Sequence, residues 1–146
     1  MPAPHRVYTI TRKLSHLPGG IFSVVSLLII LWLTLSPDPL GDNSPRLFPG
    51  ADKVAHALMF GFLTAMILLD RTRKRDWLPV SIPPVMFAVA VSTAIGCLIE
   101  VLQLKMALGR GFEYSDMIAD FAGALLTGNG WLLLMNPFLR DLHKDN

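Results

Sequence analysis

Eight polar side chains lie in or beside the apolar stretches of this sequence, and their types are those that move protons and bind anions. A charged group at the centre of a membrane helix costs about 2.5–3.5 kcal/mol on insertion scales, so each one is a candidate for function. They fall into three groups along the chain: Asp52, Lys53 and His56; Glu100 and Gln103; and Arg110, Asp116 and Asp120.

Within each group the spacing is that of one helix face. Residues three or four positions apart lie side by side on a helix, as do Glu100 and Gln103, or Asp116 and Asp120. Three helices would therefore each carry one polar stripe. If the stripes face one another, they form a pocket at one end of a helix bundle.

The first chemistry that these residues predict is proton transfer. A carboxylate at Asp52 would hold the imidazole of His56 in one tautomer, and that imidazole would then act as a proton acceptor near neutral pH. Glu100 lies among Leu98, Ile99, Val101 and Leu102, and an apolar setting favours a protonated carboxyl that can serve as a general acid. The catalytic candidates are His56, Glu100, Asp52 and Asp116.

The second chemistry is the binding of an anion such as phosphate. Arg110 would clamp it in bidentate fashion and Lys53 would add a second positive charge. The substrate-binding candidates are Lys53, Gln103, Arg110 and Asp120. Asp116 and Asp120 are also one turn apart and could hold a divalent cation with a substrate phosphate. Two carboxylates alone specify no metal, so the sequence assigns no metal ligands.

Each of these residues also has a structural interpretation. Asp52 and Asp116 lie where a helix should begin, and acidic groups there favour the helix dipole. Lys53 and Arg110 can extend to the membrane interface, and ion pairs with these cations would account for Glu100 and Asp120.

The composition indicates an integral membrane protein. Hydrophobic residues make up 52% of the 146 residues, charged residues only 16%, and the mean hydropathy is +0.48. The basic residues form no face interleaved with aromatics, which argues against nucleic-acid binding. Cys97 is the single cysteine, so no intrachain disulfide forms. Small residues suited to close helix contacts are Gly61, Gly96 and Gly123.

The apolar runs predict an all-α, polytopic protein with four transmembrane helices. The expected spans are residues 17–35, 52–69, 77–104 and 115–135, the last ending before Asn136-Pro137. The expected organisation is a basic cytoplasmic tail at residues 1–16, a four-helix transmembrane domain at 17–136 and a second cytoplasmic tail at 137–146.

Basic residues predict the orientation of these spans. The two tails and the loop at residues 70–76 together carry nine Lys and Arg, whereas the remaining segments carry four. Lys and Arg accumulate in cytoplasmic loops, so both termini are expected in the cytoplasm. All three polar groups then lie at the outer leaflet.

At these same residues the sequence resembles the VanZ-like family of small bacterial membrane proteins. The similarity extends over about residues 20–135 and differs at Asp120, where similar members usually carry Asn. It rests on Asp52-Lys53-x-x-His56, Phe60-Gly61, Glu100-x-x-Gln103, Arg110 with Asp116 six residues later, and Ala122-Gly123-Ala124-Leu125-Leu126 with Gly128.

The resemblance implies a multi-pass protein of the bacterial cytoplasmic (inner) membrane that belongs to the cell envelope. The family takes its name from a member associated with reduced susceptibility to teicoplanin, and it has been grouped with membrane enzymes that act on lipid headgroups. Together with the pocket, this favours hydrolysis or transfer of a lipid or lipid-linked headgroup. Its partners would be membrane lipids or a lipid-linked cell-wall precursor.

Two other functions remain open from the sequence. A non-catalytic protein would use the same pocket to bind a lipid-linked precursor or to reduce binding of a glycopeptide antibiotic. A small transporter would need ionisable groups through the whole membrane, and the cytoplasmic halves of the predicted spans have almost none.

Overall fold

The computed structural model describes residues 14, 16–36, 48–106 and 112–144, with side chains up to residue 141. Within these ranges the chain is helical and has no strand, which confirms the all-α prediction. The helices are α1 (Ile21–Leu35), α2 (Ala51–Lys74), α3 (Ile82–Met106), α4 (Tyr114–Gly130) and α5 (Asn136–Lys144), with a π-helical turn (Trp131–Met135) joining α4 to α5.

The surface of the bundle is strongly apolar. Three helical stretches are long and apolar enough to cross a membrane, namely α2, α3 and the continuous Tyr114–Asp141. Large side chains on them point outward, among them Leu58 at 69% exposure and Leu126 at 73%. Apolar patches of this extent are rare on soluble monomers and suit contact with lipid tails. The chain is therefore a multi-pass helical membrane protein.

The first apolar helix is shorter than the predicted span. Pro18, Gly19 and Gly20 precede it, and Gly20 has a left-handed φ of 79°, so α1 starts at Ile21 rather than at residue 17. Its 15 residues reach about 22 Å at about 1.5 Å per residue, less than a hydrocarbon core of about 30 Å. The four apolar helices are present, and three of them have full length.

Two other helix boundaries differ from the prediction. Helix α2 passes through the basic segment to Lys74, because Asp70 and Arg73 form an ion pair across one turn instead of ending the helix. Helix α3 begins at Ile82 and not near residue 77, since Asp76 and Trp77 have positive φ values of 53° and 62° that no helix can contain.

The prediction that the last span ends before Asn136-Pro137 was wrong. The π-helical turn ends at Met135, and α5 follows without a break from Asn136 to Lys144. Pro137 therefore lies within the helical chain. Proline removes one N–H from the helical ladder, and a local π-helical adjustment such as the turn just before it allows a membrane helix to tolerate this. Asn136 also brackets Val80, accepting its N–H at 2.9 Å and donating to its carbonyl at 2.7 Å.

Helix α2 is the centre of the bundle and packs most closely on α4. A Cβ on Gly123 would overlap the backbone carbonyl of Ala57, and one on Gly61 would meet Thr127 and Gly123. The glycines let the two backbones approach, as the sequence predicted. The close approach brings the first turns of α2 and α4 together at one end of the bundle, called here the site end.

The opposite end, called here the basic end, is held by a network of hydrogen bonds around one buried arginine. Arg73 is buried and donates to Asp70 at 2.7 Å and to the carbonyls of Leu14, Leu17 and Pro18. Asp70 also accepts from the hydroxyl of Ser23 at 2.8 Å. These bonds fasten the start of α1 to the end of α2. Because the helices run antiparallel, the site end receives the start of α2, the end of α3 and the start of α4.

Candidate functional site

Four ionisable side chains lie buried between three helices at the site end. His56 comes from α2, Glu100 from α3, and Asp116 and Asp120 from the first two turns of α4. Glu100 and Asp120 are 0% exposed, His56 is 7% exposed and Asp116 is 8% exposed. The structure therefore brings together residues from all three sequence groups.

The centre of this cluster is a histidine–carboxylate pair. Nδ1 of His56 lies 2.9 Å from Oδ1 of Asp120, and Nε2 lies 3.9 Å from Oδ2 of Asp116. A carboxylate on one ring nitrogen fixes the tautomer and leaves the other nitrogen available. His56 thus turns Nε2 toward Asp116.

The residue that orients His56 differs from the one that spacing suggested. Asp52 is four positions before His56, but its side chain is 53% exposed and its carboxylate binds Lys53 at 2.7 Å. Asp120 takes the position beside the ring because it projects from α4 across the helix contact. Helical spacing gives only neighbours on the same helix, so it could not identify this partner.

A glycine on α3 makes room for the Asp120 side chain. A Cβ on Gly96 would overlap Oδ2 of Asp120, so the carboxylate lies directly against the backbone of α3. Oδ2 has no hydrogen-bond partner within the described residues. Gly96 was predicted as a packing position, and in this structure the group it packs against is a carboxylate of the site.

Glu100 lies opposite His56 in the same interior. Its Oε2 accepts a hydrogen bond from the backbone N–H of Glu113 at 3.2 Å, which ties the end of α3 to the segment before α4. Its Oε1 has no hydrogen-bond partner in the part of the chain that the structure describes. One oxygen of this carboxyl is held, and the other remains available.

The rim of the cluster is an ion-pair network around Lys53. Its Nζ lies 2.7 Å from Asp52, 2.8 Å from Glu113 and 3.2 Å from Asp116, and the side chain is 36% exposed. The hydrogen bond from Lys53 lowers the pKa of the exposed Glu113 carboxyl below its ordinary value. Lys53 therefore cross-links α2 to α4 through carboxylates, in addition to being a candidate for anion binding.

Of the last two predicted site residues, one lies apart from this cluster and the other falls outside the residues that the structure describes. Nε2 of Gln103 donates to the backbone carbonyl of Thr34 at 2.8 Å, so Gln103 joins α3 to the end of α1. Arg110 falls among residues 107–111, outside the described residues.

Glu113 belongs to the site, although it is not among the eight residues that the sequence pattern singled out. The structure makes it a partner of Lys53, of the Ser115 hydroxyl at 3.1 Å and, through its backbone, of Glu100. A usable signal was present, because Glu113 stands three residues before Asp116 at a helix start. That spacing places both acidic groups at the same helix end.

The described part of the site is rich in carboxyl groups. Five of them surround one lysine and one histidine: Asp52, Glu100, Glu113, Asp116 and Asp120. Ligand atoms of His56, Glu100 and Asp116 all lie within 4.8 Å of one another, as do those of Asp52, Glu113 and Asp116. In the second set, Lys53 already contacts all three carboxylates.

Chemically, the cluster offers an oriented nitrogen base, a buried carboxyl and a charged rim. A proton acceptor and a carboxyl group this close together suit proton transfer to and from the oxygen atoms of a substrate. The family model described as VanZ/LLP1 matches residues 20–136, which covers all the residues of the site. Searches of curated proteins and of solved structures gave no match.

Proposed function

This chain belongs to the VanZ/LLP1 family, and we propose that it is a cell-envelope enzyme that hydrolyses or transfers a lipid headgroup. The substrate would be a membrane lipid or a lipid-linked precursor of the cell wall. Its polar part would enter the cluster at the site end, and its acyl chains would remain beside the apolar outer faces of the helices.

The observation that carries this proposal is the buried His56–Asp120 pair at 2.9 Å. It lies within two turns of the helix ends, which is the depth of the headgroup layer when α2 and α4 cross a membrane. A buried histidine with a dedicated carboxylate is costly in an apolar bundle and is the arrangement that proton transfer requires.

The proposed side of the membrane is the outer one. Exposed Arg71, Lys74 and Arg75 lie at the basic end, opposite the site. Such residues favour the cytoplasmic side, so the positive-inside rule supports a site end at the outer leaflet of the bacterial cytoplasmic membrane. Arg73 counts less than its neighbours because it is buried in the ion pair with Asp70.

In the proposed reaction, His56 Nε2 accepts the proton of an attacking water or alcohol. The nucleophile oxygen forms a bond to phosphorus as the bond from phosphorus to the leaving oxygen breaks. Asp120 stabilises the imidazolium, and Glu100 supplies the proton to the leaving oxygen. General acid or base catalysis of this kind contributes about 10²- to 10⁴-fold.

Lys53 and Arg110 would neutralise the phosphate in this proposal. Asp52 and Glu113 are exposed partners of Lys53, so a phosphate can replace one of them without uncovering a buried charge. Exchange between exposed ion pairs costs little. The rim therefore offers a way for the headgroup to enter.

The test is a lipid profile of cells that express the His56→Gln variant. Glutamine keeps hydrogen-bonding capacity but cannot act as a base near neutral pH, so turnover should fall by about 100-fold or more. His16→Gln is the matched control, because His16 is exposed and lies outside the helices. Unchanged turnover in His56→Gln would exclude the base assignment.

A second candidate function is binding without turnover, as in a protein that covers a lipid-linked precursor or reduces teicoplanin binding. The contact of Lys53 with three carboxylates supports it, since a charged rim can recognise a polar group without any proton transfer. It predicts that lipids and precursors are the same with and without the protein, while glycopeptide binding to the cell surface changes.

A further inference from the structure

We propose that His56, Glu100 and Asp116 bind a divalent transition-metal cation inside the site end. Nε2 of His56 and one oxygen of each carboxylate would be the protein ligands. This metal site goes beyond the proposed reaction, because binding of the ion can be measured on the protein alone. Three observations support it: the distances between the ligand atoms, the donor atoms without a hydrogen-bond partner, and the negative charge of the interior.

The geometry is close to that of a metal site. One ligand atom from each of the three residues lies within 4.8 Å of the other two, and Nε2 of His56 is 3.9 Å from Oδ2 of Asp116. Nitrogen and oxygen atoms bound at about 2.0–2.2 Å to one ion lie at most about 4.2 Å apart. Small side-chain rotations close the difference.

The independent observation is the unused oxygen of Glu100. This side chain is 0% exposed, and its Oε1 has no hydrogen-bond partner within the described residues. Leaving a buried acceptor without a partner costs about 1–3 kcal/mol, and more when the group is charged. The other oxygen is fixed by the N–H of Glu113. A cation at the centre of the cluster would satisfy Oε1.

The contact between Asp120 and His56 is the outer-shell contact that a metal-binding histidine requires. A ligating histidine nearly always donates its second ring N–H to a carboxylate or a carbonyl, which fixes the ring and raises the basicity of the ligand nitrogen. Here Nδ1 contacts Asp120 at 2.9 Å, while Nε2 lies 3.9 Å from Asp116, one of the other two proposed ligands. Asp120 thus orients the site without binding the ion.

Charge in the interior favours the same conclusion. The buried part holds Glu100, Asp116 and Asp120, and the nearest described cation is Lys53 at the rim, which contacts only Asp116 among these. Uncompensated buried charges are strongly unfavourable. A doubly charged ion would supply positive charge in this interior, where the described residues supply only one imidazole.

The types of the three donor atoms limit which metal ion the site would bind. One imidazole with two carboxylates suits Zn²⁺ or Mn²⁺ better than Mg²⁺, which prefers oxygen donors, or Cu⁺, which prefers sulfur. Three protein ligands leave a coordination position for a water or a phosphate oxygen, as in catalytic zinc sites. The bound ion would therefore itself be a place for a substrate phosphate.

The proposal changes the role of His56 if the lipid reaction also takes place. Nε2 cannot accept a proton while it binds an ion, so the ion, and not the imidazole, would activate the attacking water. Whether a metal ion is bound therefore decides whether His56 acts as a metal ligand or as a proton acceptor. Because occupancy is measured without lipid substrate, failure of one proposal leaves the other testable.

The experiment is a metal titration of the full chain in lipid nanodiscs, purified without a polyhistidine tag and stripped with EDTA. Zn²⁺ binding is followed by calorimetry, and Co²⁺ is used as a spectroscopic probe of its ligands. We expect one ion per chain. Asp120→Asn should weaken binding by about 10- to 100-fold, the range for outer-shell changes, and Glu100→Gln should weaken it more.

The matched control is Asp76→Asn, the same carboxylate-to-amide change at the basic end, where a φ of 53° is one that asparagine adopts readily. It should bind like the parent chain. Equal affinity in Glu100→Gln and the parent, or no stoichiometric binding by the parent, would overturn the proposal. If Glu100→Gln does not fold, His56→Gln gives the same comparison, and a change in the d–d absorption bands of bound Co²⁺ shows that its set of ligands has changed.

Discussion

Asp120 on α4 holds Nδ1 of His56 on α2 at 2.9 Å, although 64 residues separate them. The contact exists because Gly123, one turn beyond Asp120, brings α4 against the backbone of Ala57, next to His56. Gly96 on α3 then leaves space for the carboxylate. Two close helix contacts thus determine that Nδ1 of the imidazole faces Asp120 and that Nε2 faces Asp116.

Substitutions at Asp120 should separate orientation from charge. Asp120→Asn keeps an oxygen that accepts from Nδ1–H, so it should retain more turnover than a variant that lacks this oxygen. Asp120→Ala removes the acceptor and should cost about 100-fold or more. Lipid turnover in cells gives both values. Equal losses in the two variants would show that the negative charge, and not the hydrogen bond, is what His56 needs.

Glycine positions offer a test of the packing itself. Gly123→Ala places a methyl group on the Ala57 carbonyl, and overpacking of this kind costs about 1–3 kcal/mol or more. Gly130→Ala is the control, because a Cβ there meets nothing within 4 Å; alanine also favours helix by up to about 1 kcal/mol. Unfolding in mixed micelles should show Gly123→Ala destabilised and Gly130→Ala unchanged or more stable. Equal stability of the two would contradict the close contact.

The sequence predicted the fold class and the groups of site residues, but it did not predict which residues of different helices contact each other. Composition and apolar runs predicted an all-helical membrane bundle, and spacing placed Asp116 with Asp120 on one face. Both follow from local patterns, which helix geometry converts directly into position. The pairing of His56 with Asp120 depends on the rotation and separation of whole helices, which no local pattern contains.

Helix ends were also hard to predict. Proline and a basic cluster usually end a helix, yet Pro137 lies inside the continuous chain and the basic segment belongs to α2. In both places long-range hydrogen bonds hold the segment: Asn136 bonds to the backbone of Val80, and Arg73 donates to the carbonyls of Leu14, Leu17 and Pro18. Such bonds appear only when the bundle is assembled.

The buried pair at the basic end should contribute to stability. Arg73→Met leaves the Asp70 carboxylate in the interior without its cation, and breaking a buried pair from one side costs about 3–5 kcal/mol. Arg71→Met removes the same charge from an exposed position on the same helix, so it should stay within about 0.5 kcal/mol of the parent. Unfolding free energies of both variants test this. If Asp70→Asn in the Arg73→Met background restores no stability, the cost lies in packing and in the lost hydrogen bonds to the carbonyls of Leu14, Leu17 and Pro18, and not in the uncompensated charge.

Orientation of the bundle decides which leaflet the site can serve. With Cys97→Ala as background, Tyr114→Cys places a thiol at the site end, where Tyr114 is 73% exposed. Ser81→Cys places one at the basic end on an exposed residue. A membrane-impermeant maleimide added to intact spheroplasts should label Tyr114→Cys and leave Ser81→Cys unlabelled until the membrane is opened. The reverse pattern would place the His56–Asp120 pair at the cytoplasmic leaflet, and the envelope substrate would then have to be replaced by a lipid of the inner face.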